Sequence, residues 1–63
     1  MITYEDVKSN LDSAIENDYK EILTWPVEDV AEDLIAFAAD MEDCTVEELV
    51  GFIERWRGER GAG

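Results

Sequence analysis

The chain has 63 residues, one domain's worth, and carries 17 acids against five bases for a net charge of −12. A domain of this size buries only about 60% of its unfolded surface, which leaves little material for a deep enzyme cleft. Its hydrophobic fraction of 46% is nonetheless ordinary for a folded chain, so the charge does not imply disorder.

The first predicted helix covers about residues 4–17. Thr3 and Asp6 have the spacing of a capping box, and Val7, Leu11, Ala14 and Ile15 follow at helical intervals. Continued unbroken, the same stripe would carry Asp18 into the core, where an unpaired carboxylate is costly. A break at Asn17–Asp18 resolves this, with Asp18 capping a short extra turn near residues 19–24 and Glu21 three positions on.

Pro26 ends that piece, because the residue before proline avoids helical angles. Proline also suits a first helical position, so the second helix is expected over 26–40. Val27, Val30, Ala31, Leu34, Phe37, Ala38 and Met41 form its apolar arc, with Ile35 at one edge and Glu28, Asp29, Glu32, Asp33 and Asp40 opposite. After the polar "MEDCT", Thr45 and Glu48 make the clearest capping box in the chain. The third helix, 46–57, should bury Val46, Leu49, Val50, Ile53 and Trp56, with Phe52 at the margin. "RGERGAG" has three glycines and should fray. The expectation is an all-α three-helix bundle, with one helical domain over 1–57 and a flexible tail over 58–63.

Several functions are disfavoured by the residues themselves. The chain has no histidine, and Ser9 and Ser13 have no base to activate them, so it reads as a non-enzyme. "DMEDCTVEE" offers carboxylates but lacks the glycine and the register of a calcium loop, and Cys44 alone does not make a zinc site. No metal and no cofactor are expected. No apolar run approaches the roughly 18 residues of a membrane span, no secretory signal is recognisable, and a lone cysteine suits a reducing cytoplasm. A polyanion repels nucleic acid and anionic membranes, so neither is expected as a direct partner.

The acids themselves are the strongest signal. Residues 1–54 hold 16 acids and only two bases, Lys8 and Lys20. Like charges at i,i+4 destabilise a helix by about 0.2–0.5 kcal/mol per pair, and Glu28–Glu32 and Asp29–Asp33 are such pairs. Acids in a first helical turn satisfy the helix dipole, which explains Glu28 and Asp29 but not Glu32, Asp33 or Asp40. Glu5, Asp12 and Glu16 form a second strip on the first helix. Neighbouring carboxylates on a helix lie about 5–6 Å apart, on the scale of phosphates along one nucleic-acid strand. The favoured reading is therefore a phosphate-like face that occupies a basic, nucleic-acid-binding surface of another protein. The competing reading gives the acids a solubilising role and the function to an apolar surface around Ile35, Phe37 and Phe52, through which the chain binds a partner helix or forms a homodimer. Tyr19 and Trp25, around the helix break, could belong to such a surface or to the core.

The segments Asp33-Leu34, Met41-Glu42-Asp43, Thr45-Val46-Glu47-Glu48-Leu49 and Trp56-Arg57 resemble small acidic proteins encoded by tailed bacteriophages. In size and charge the chain is also similar to phage-encoded inhibitors that mimic DNA. Such proteins block restriction enzymes, uracil-DNA glycosylases, CRISPR effectors or host polymerase. The resemblance implies a bacterial cytoplasmic setting and a host protein as target. It supplies no catalytic residues.

Overall fold

A computed structural model of the chain describes residues 2–60. Three α-helices carry the architecture: α1 (Tyr4–Glu16), α2 (Val27–Phe37) and α3 (Val46–Glu59). Two short 3-10 turns, η1 (Lys20–Leu23) and η2 (Ala39–Met41), sit in the connections. The described residues include no strand, and the chain is an all-α three-helix bundle.

Local chemistry starts α1 and α3 as the sequence predicts. The backbone N–H of Asp6 donates to Thr3 Oγ1 at 3.3 Å, and that of Thr3 donates to Asp6 Oδ2 at 3.1 Å. Thr45 and Glu48 repeat the exchange at 3.2 Å in each direction. Each box satisfies two backbone donors that a helix start leaves without partners.

The break after α1 is real, but its mechanism differs from the expected cap. Asp18 takes a left-handed backbone, φ 70°. The Asp18 N–H donates to the Ile15 carbonyl and the Tyr19 N–H to the Ala14 carbonyl, both at 2.9 Å. That pair of bonds closes a helix through a Schellman turn, with aspartate in the position glycine usually holds. Asp18 therefore stops α1 and does not start η1, whose leading residue Tyr19 makes no side-chain cap bond.

The second helix is shorter than its apolar arc implies. Pro26 lies just outside α2 with extended ψ 138°. Its carbonyl accepts the N–H groups of Asp29 and Val30 at 2.9 and 3.2 Å. At the other end the chain leaves the helix at Ala38, φ −95° and ψ 115°, so that α2 ends at Phe37, three residues short of the expected 40. Met41 still arrives in the core, fully buried, by way of η2. Ending early keeps Asp40 out of the last helical turn, where a carboxylate would face the negative end of the dipole. The early end also leaves Phe37 84% exposed at the helix terminus. In contrast, α3 continues through Gly58 and Glu59, two residues past its expected end. The remainder of the anticipated tail, 61–63, lies outside the described residues.

The core is built from Tyr4, Val7 and Leu11 of α1, Ile22 of η1, Val30 and Ala31 of α2, Met41 of η2, and Leu49, Ile53 and Trp56 of α3. Val27, Leu34, Val46 and Val50 pack half-buried around it. Helix α3 is the spine. It packs extensively on α2 and on α1, whereas α1 and α2 barely touch each other. The bundle is consequently open along the α1–α2 side.

Candidate acidic face and open groove

All five bases of the chain are committed, and none of them to α2. Lys8 Nζ pairs with Asp12 Oδ2 at 3.1 Å, Lys20 with Asp18 at 3.6 Å, Arg55 with Glu59 at 3.1 Å, and Arg60 with Asp12 at 3.6 Å. Arg57 has a different task. Its Nε and Nη2 donate to the Ile22 carbonyl at 3.1 and 2.7 Å, and Nη2 also donates to the Trp25 carbonyl at 2.6 Å. One guanidinium thus ties η1 and the turn before α2 to the end of α3, using the planar fork of donors that lysine lacks.

Two of these bases also stack on aromatic rings. The Arg55 guanidinium carbon lies 4.0 Å from the Tyr4 ring centroid, and that of Arg60 lies 5.1 Å from the centroid of Trp56. Tyr4 in turn donates its hydroxyl to Glu59 and packs against Phe52, centroid to centroid 6.1 Å. Phe52 is therefore part of a cluster that joins the start of α1 to α3. The Tyr4 hydroxyl pKa is pushed up to about 12, chiefly because its proton is held by Glu59. The Glu59 carboxyl is held below its usual value by the same bond and by Arg55.

Against that background the predicted acidic residues separate into groups. Glu28, Asp29, Glu32 and Asp33 all sit exposed on α2. Among the described residues none of the four makes an ion pair or accepts a side-chain hydrogen bond. Glu5 and Glu16 are exposed on α1. Asp12, between them in sequence, is occupied: the Trp56 indole N–H donates to its Oδ1 at 3.0 Å, and Lys8 binds its other oxygen. Those two bonds, the indole's first, hold the Asp12 carboxyl below its usual range. Asp40 does not extend the α2 ridge. It lies on η2 beside a shallow hollow with Asp6, Asp43 and Glu48.

That hollow also contains Cys44, half-buried, whose thiol is pushed above its ordinary pKa by burial and then by Glu48. Both effects favour the protonated thiol over the nucleophilic thiolate. Among the described residues no group of three histidine, cysteine or carboxylate side chains is placed to hold a metal ion. No helix among them is long and apolar enough to cross a membrane.

The open side of the bundle forms a groove of about 760 Å3 between α1, η1 and α2. Tyr19 and Trp25, 62% and 42% exposed, stand at its η1 end, and Phe37 at the end of α2. Of the apolar residues singled out as an alternative surface, Phe37 lines this groove. Ile35 and Phe52 are elsewhere, half-buried against the core. Asp33 belongs both to the groove and to the acidic ridge. The splay of α1 from α2 that creates the groove has no signature in the sequence. The rim aromatics do have one: Tyr19 and Trp25 flank a helix break.

In comparison with known proteins, the chain matches no family model, no curated protein and no solved structure.

Proposed function

We propose that the protein is a non-enzymatic binding protein that sets the carboxylates of α2 against a basic, nucleic-acid-binding surface of another protein and blocks it. The observation that carries this reading is the division of charge. Each base has a partner elsewhere, Lys20 only a loose one at the surface, while Glu28, Asp29, Glu32 and Asp33 are exposed on one short helix and, among the described residues, pair with no base. Two like-charged i,i+4 pairs reduce the stability of that helix. A solubilising role needs only scattered charge, and it does not require unrelieved repulsion on one face. Clustered carboxylates raise the rate of encounter with a cationic groove and then pair with its lysines and arginines.

The resemblance to acidic phage proteins fits the same reading and sets it in the bacterial cytoplasm, with a host protein as target.

The test is capture from bacterial lysate on the immobilised chain at about 0.05 M and about 0.5 M salt, where screening differs strongly. A nucleic-acid-binding protein should be retained at low salt, released at high salt, and displaced by duplex DNA. The double variant Glu32→Lys/Asp33→Lys should not retain it. Capture that ignores both salt and charge reversal would sink the proposal.

A further inference from the structure

The geometry of the open groove points to a specific occupant: we infer that it receives an amphipathic helix of the partner, apolar on one side and lysine- or arginine-rich beside that stripe. This inference rests on the proposal that the partner is basic, and adds which element docks and where.

Both walls of the groove are helix faces. On α2 the lining positions are Val30, Asp33, Leu34 and Phe37, the i, i+3, i+4, i+7 series of a single stripe. On α1 they are Asn10, Leu11, Ser13 and Ala14, with Asn17 at its C-terminal cap, a wall more polar than that of α2. The floor is apolar, formed by the buried side chains of Leu11 and Ile22. Two helix faces that each pack on α3 and scarcely touch one another leave room between them of the kind a further helix fills in a bundle. Grooves of this kind take an amphipathic helix by its i, i+3, i+4, i+7 anchors.

A small apolar ligand fits less well. Such ligands are held with about 70–90% of their surface buried, whereas Tyr19, Trp25 and Phe37 stand open at the margins and do not close over the floor. Exposed tryptophan and tyrosine at the edge of an apolar floor are the side chains that carry most binding energy when a protein surface covers them.

Charge then selects among helices. The groove is lined by two acids, Asp33 and Glu21, and by no base. A second copy of this chain would bring another −12 charge against those carboxylates. A helix flanked by lysine or arginine would neutralise them, and through Asp33 it would reach the ridge of Glu28, Asp29 and Glu32.

The test uses the full chain, labelled with 15N, and three synthetic peptides of about 18 residues, five helical turns. The first places leucine at i, i+3, i+4 and i+7 with lysine on both flanks. The second has the same composition rearranged so that the leucines share no face. The third keeps the leucine stripe and replaces lysine with glutamate. The first peptide should shift the Trp25 indole signal and the backbone signals of Ala14, Asn17, Leu34 and Ala38. It should bind at least about tenfold more tightly than the second, the margin expected of one well-buried anchor.

Phe37→Ala and Ser13→Arg, both at exposed positions, should each weaken it by about tenfold, the second by filling the groove with a cationic side chain. Glu28→Lys should weaken it only a few-fold. Equal binding of the two lysine peptides, with shifts confined to Glu28 and Glu32, would overturn the groove and leave the acidic-face reading standing. Equal binding of the glutamate peptide would overturn the basic character of the occupant. No binding of any peptide, or groove shifts with an apolar dye but none with the first peptide, would remove the helix as occupant. The lysate experiment repeated with Glu28→Lys/Glu32→Lys, two positions outside the groove lining, decides the acidic face by itself.

Discussion

The seam between α1 and α3 and the outer face of α2 treat charge in opposite ways. Along the seam, Asp12 is held by Trp56 and Lys8, and Glu59 by Tyr4 and Arg55. On α2, four carboxylates within six residues pair with no base among the described residues. Both regions are acid-rich in sequence, so composition does not separate them. The difference lies in where the bases and the hydroxyl and indole donors fall once the helices pack. Carboxylates along the seam contribute to the fold, and Glu28 and Asp29 suit the first turn of α2, whereas Glu32 and Asp33 add like-charge repulsion a turn further in, which is why those two call for a functional explanation.

The largest loss is expected at the end of α3, where Arg57 is committed to η1 and the turn before α2 and to neither of these regions. Arg57→Ala removes three hydrogen bonds to the carbonyls of Ile22 and Trp25. At about 1.5–3 kcal/mol for a bond to a charged group, discounted for partial exposure, the loss should be about 2 kcal/mol. Thermal or denaturant melts measure it, and hydrogen exchange should show η1 opening first. An unchanged melting curve would mean that the clamp is incidental.

Asp18 belongs to neither region. It is exposed, bound only loosely to Lys20, and held at φ 70°. A left-handed backbone costs an L-residue about 1–2 kcal/mol that glycine avoids, so Asp18→Gly should stabilise the chain by about 1 kcal/mol in the same melts. Destabilisation would show that its carboxylate supports the turn.

A smaller effect is expected on α2, with the reverse sign from Arg57→Ala. Glu32→Lys converts the repulsive pair with Glu28 into an attractive one in the favourable orientation, worth about 0.5 kcal/mol in added stability. The same variant should bind the basic partner less well. Greater stability with weaker binding is the signature of a residue kept for function, and parallel losses in both would instead make α2 another structural seam.

The subtlest difference is in pH. Tyr4 has its pKa raised from 10.0 to about 12 by its bond to Glu59. Its contribution is therefore complete below the unfolded value of 10 and lost as pH rises through the folded value near 12. Asp12 and Glu59 have lowered values, so their contributions are present above their ordinary carboxyl range and lost as pH falls through the depressed folded values. Urea melts against pH should show both edges. Tyr4→Phe should flatten the alkaline edge, and an edge that survives it would place the loss in other groups.

Much of this organisation was legible in the residues because it is local. The capping boxes at Thr3 and Thr45 join groups three positions apart, and the stripes of α1 and α3 follow from spacing alone. The second helix was less legible. Its apolar arc continues to Met41, and periodicity does not register that the chain turns out of the helix at Ala38 and returns through η2. The mechanism at Asp18 was also hidden, because a left-handed stop without glycine carries no distinctive local pattern.

By itself the sequence determined the three helices, their starting points and the acidic face of α2, since each depends on neighbours within about one helical turn. Only the tertiary structure decided which carboxylates are neutralised and where the bundle stays open. The Trp56–Asp12 bond spans 44 positions, the Arg57–Ile22 bond 35 and the Tyr4–Glu59 bond 55. These pairings, and the splay of α1 from α2, exist only after α3 has packed against both helices. The physical reason is that charge compensation is a property of distances in space, and spacing along this chain does not encode them.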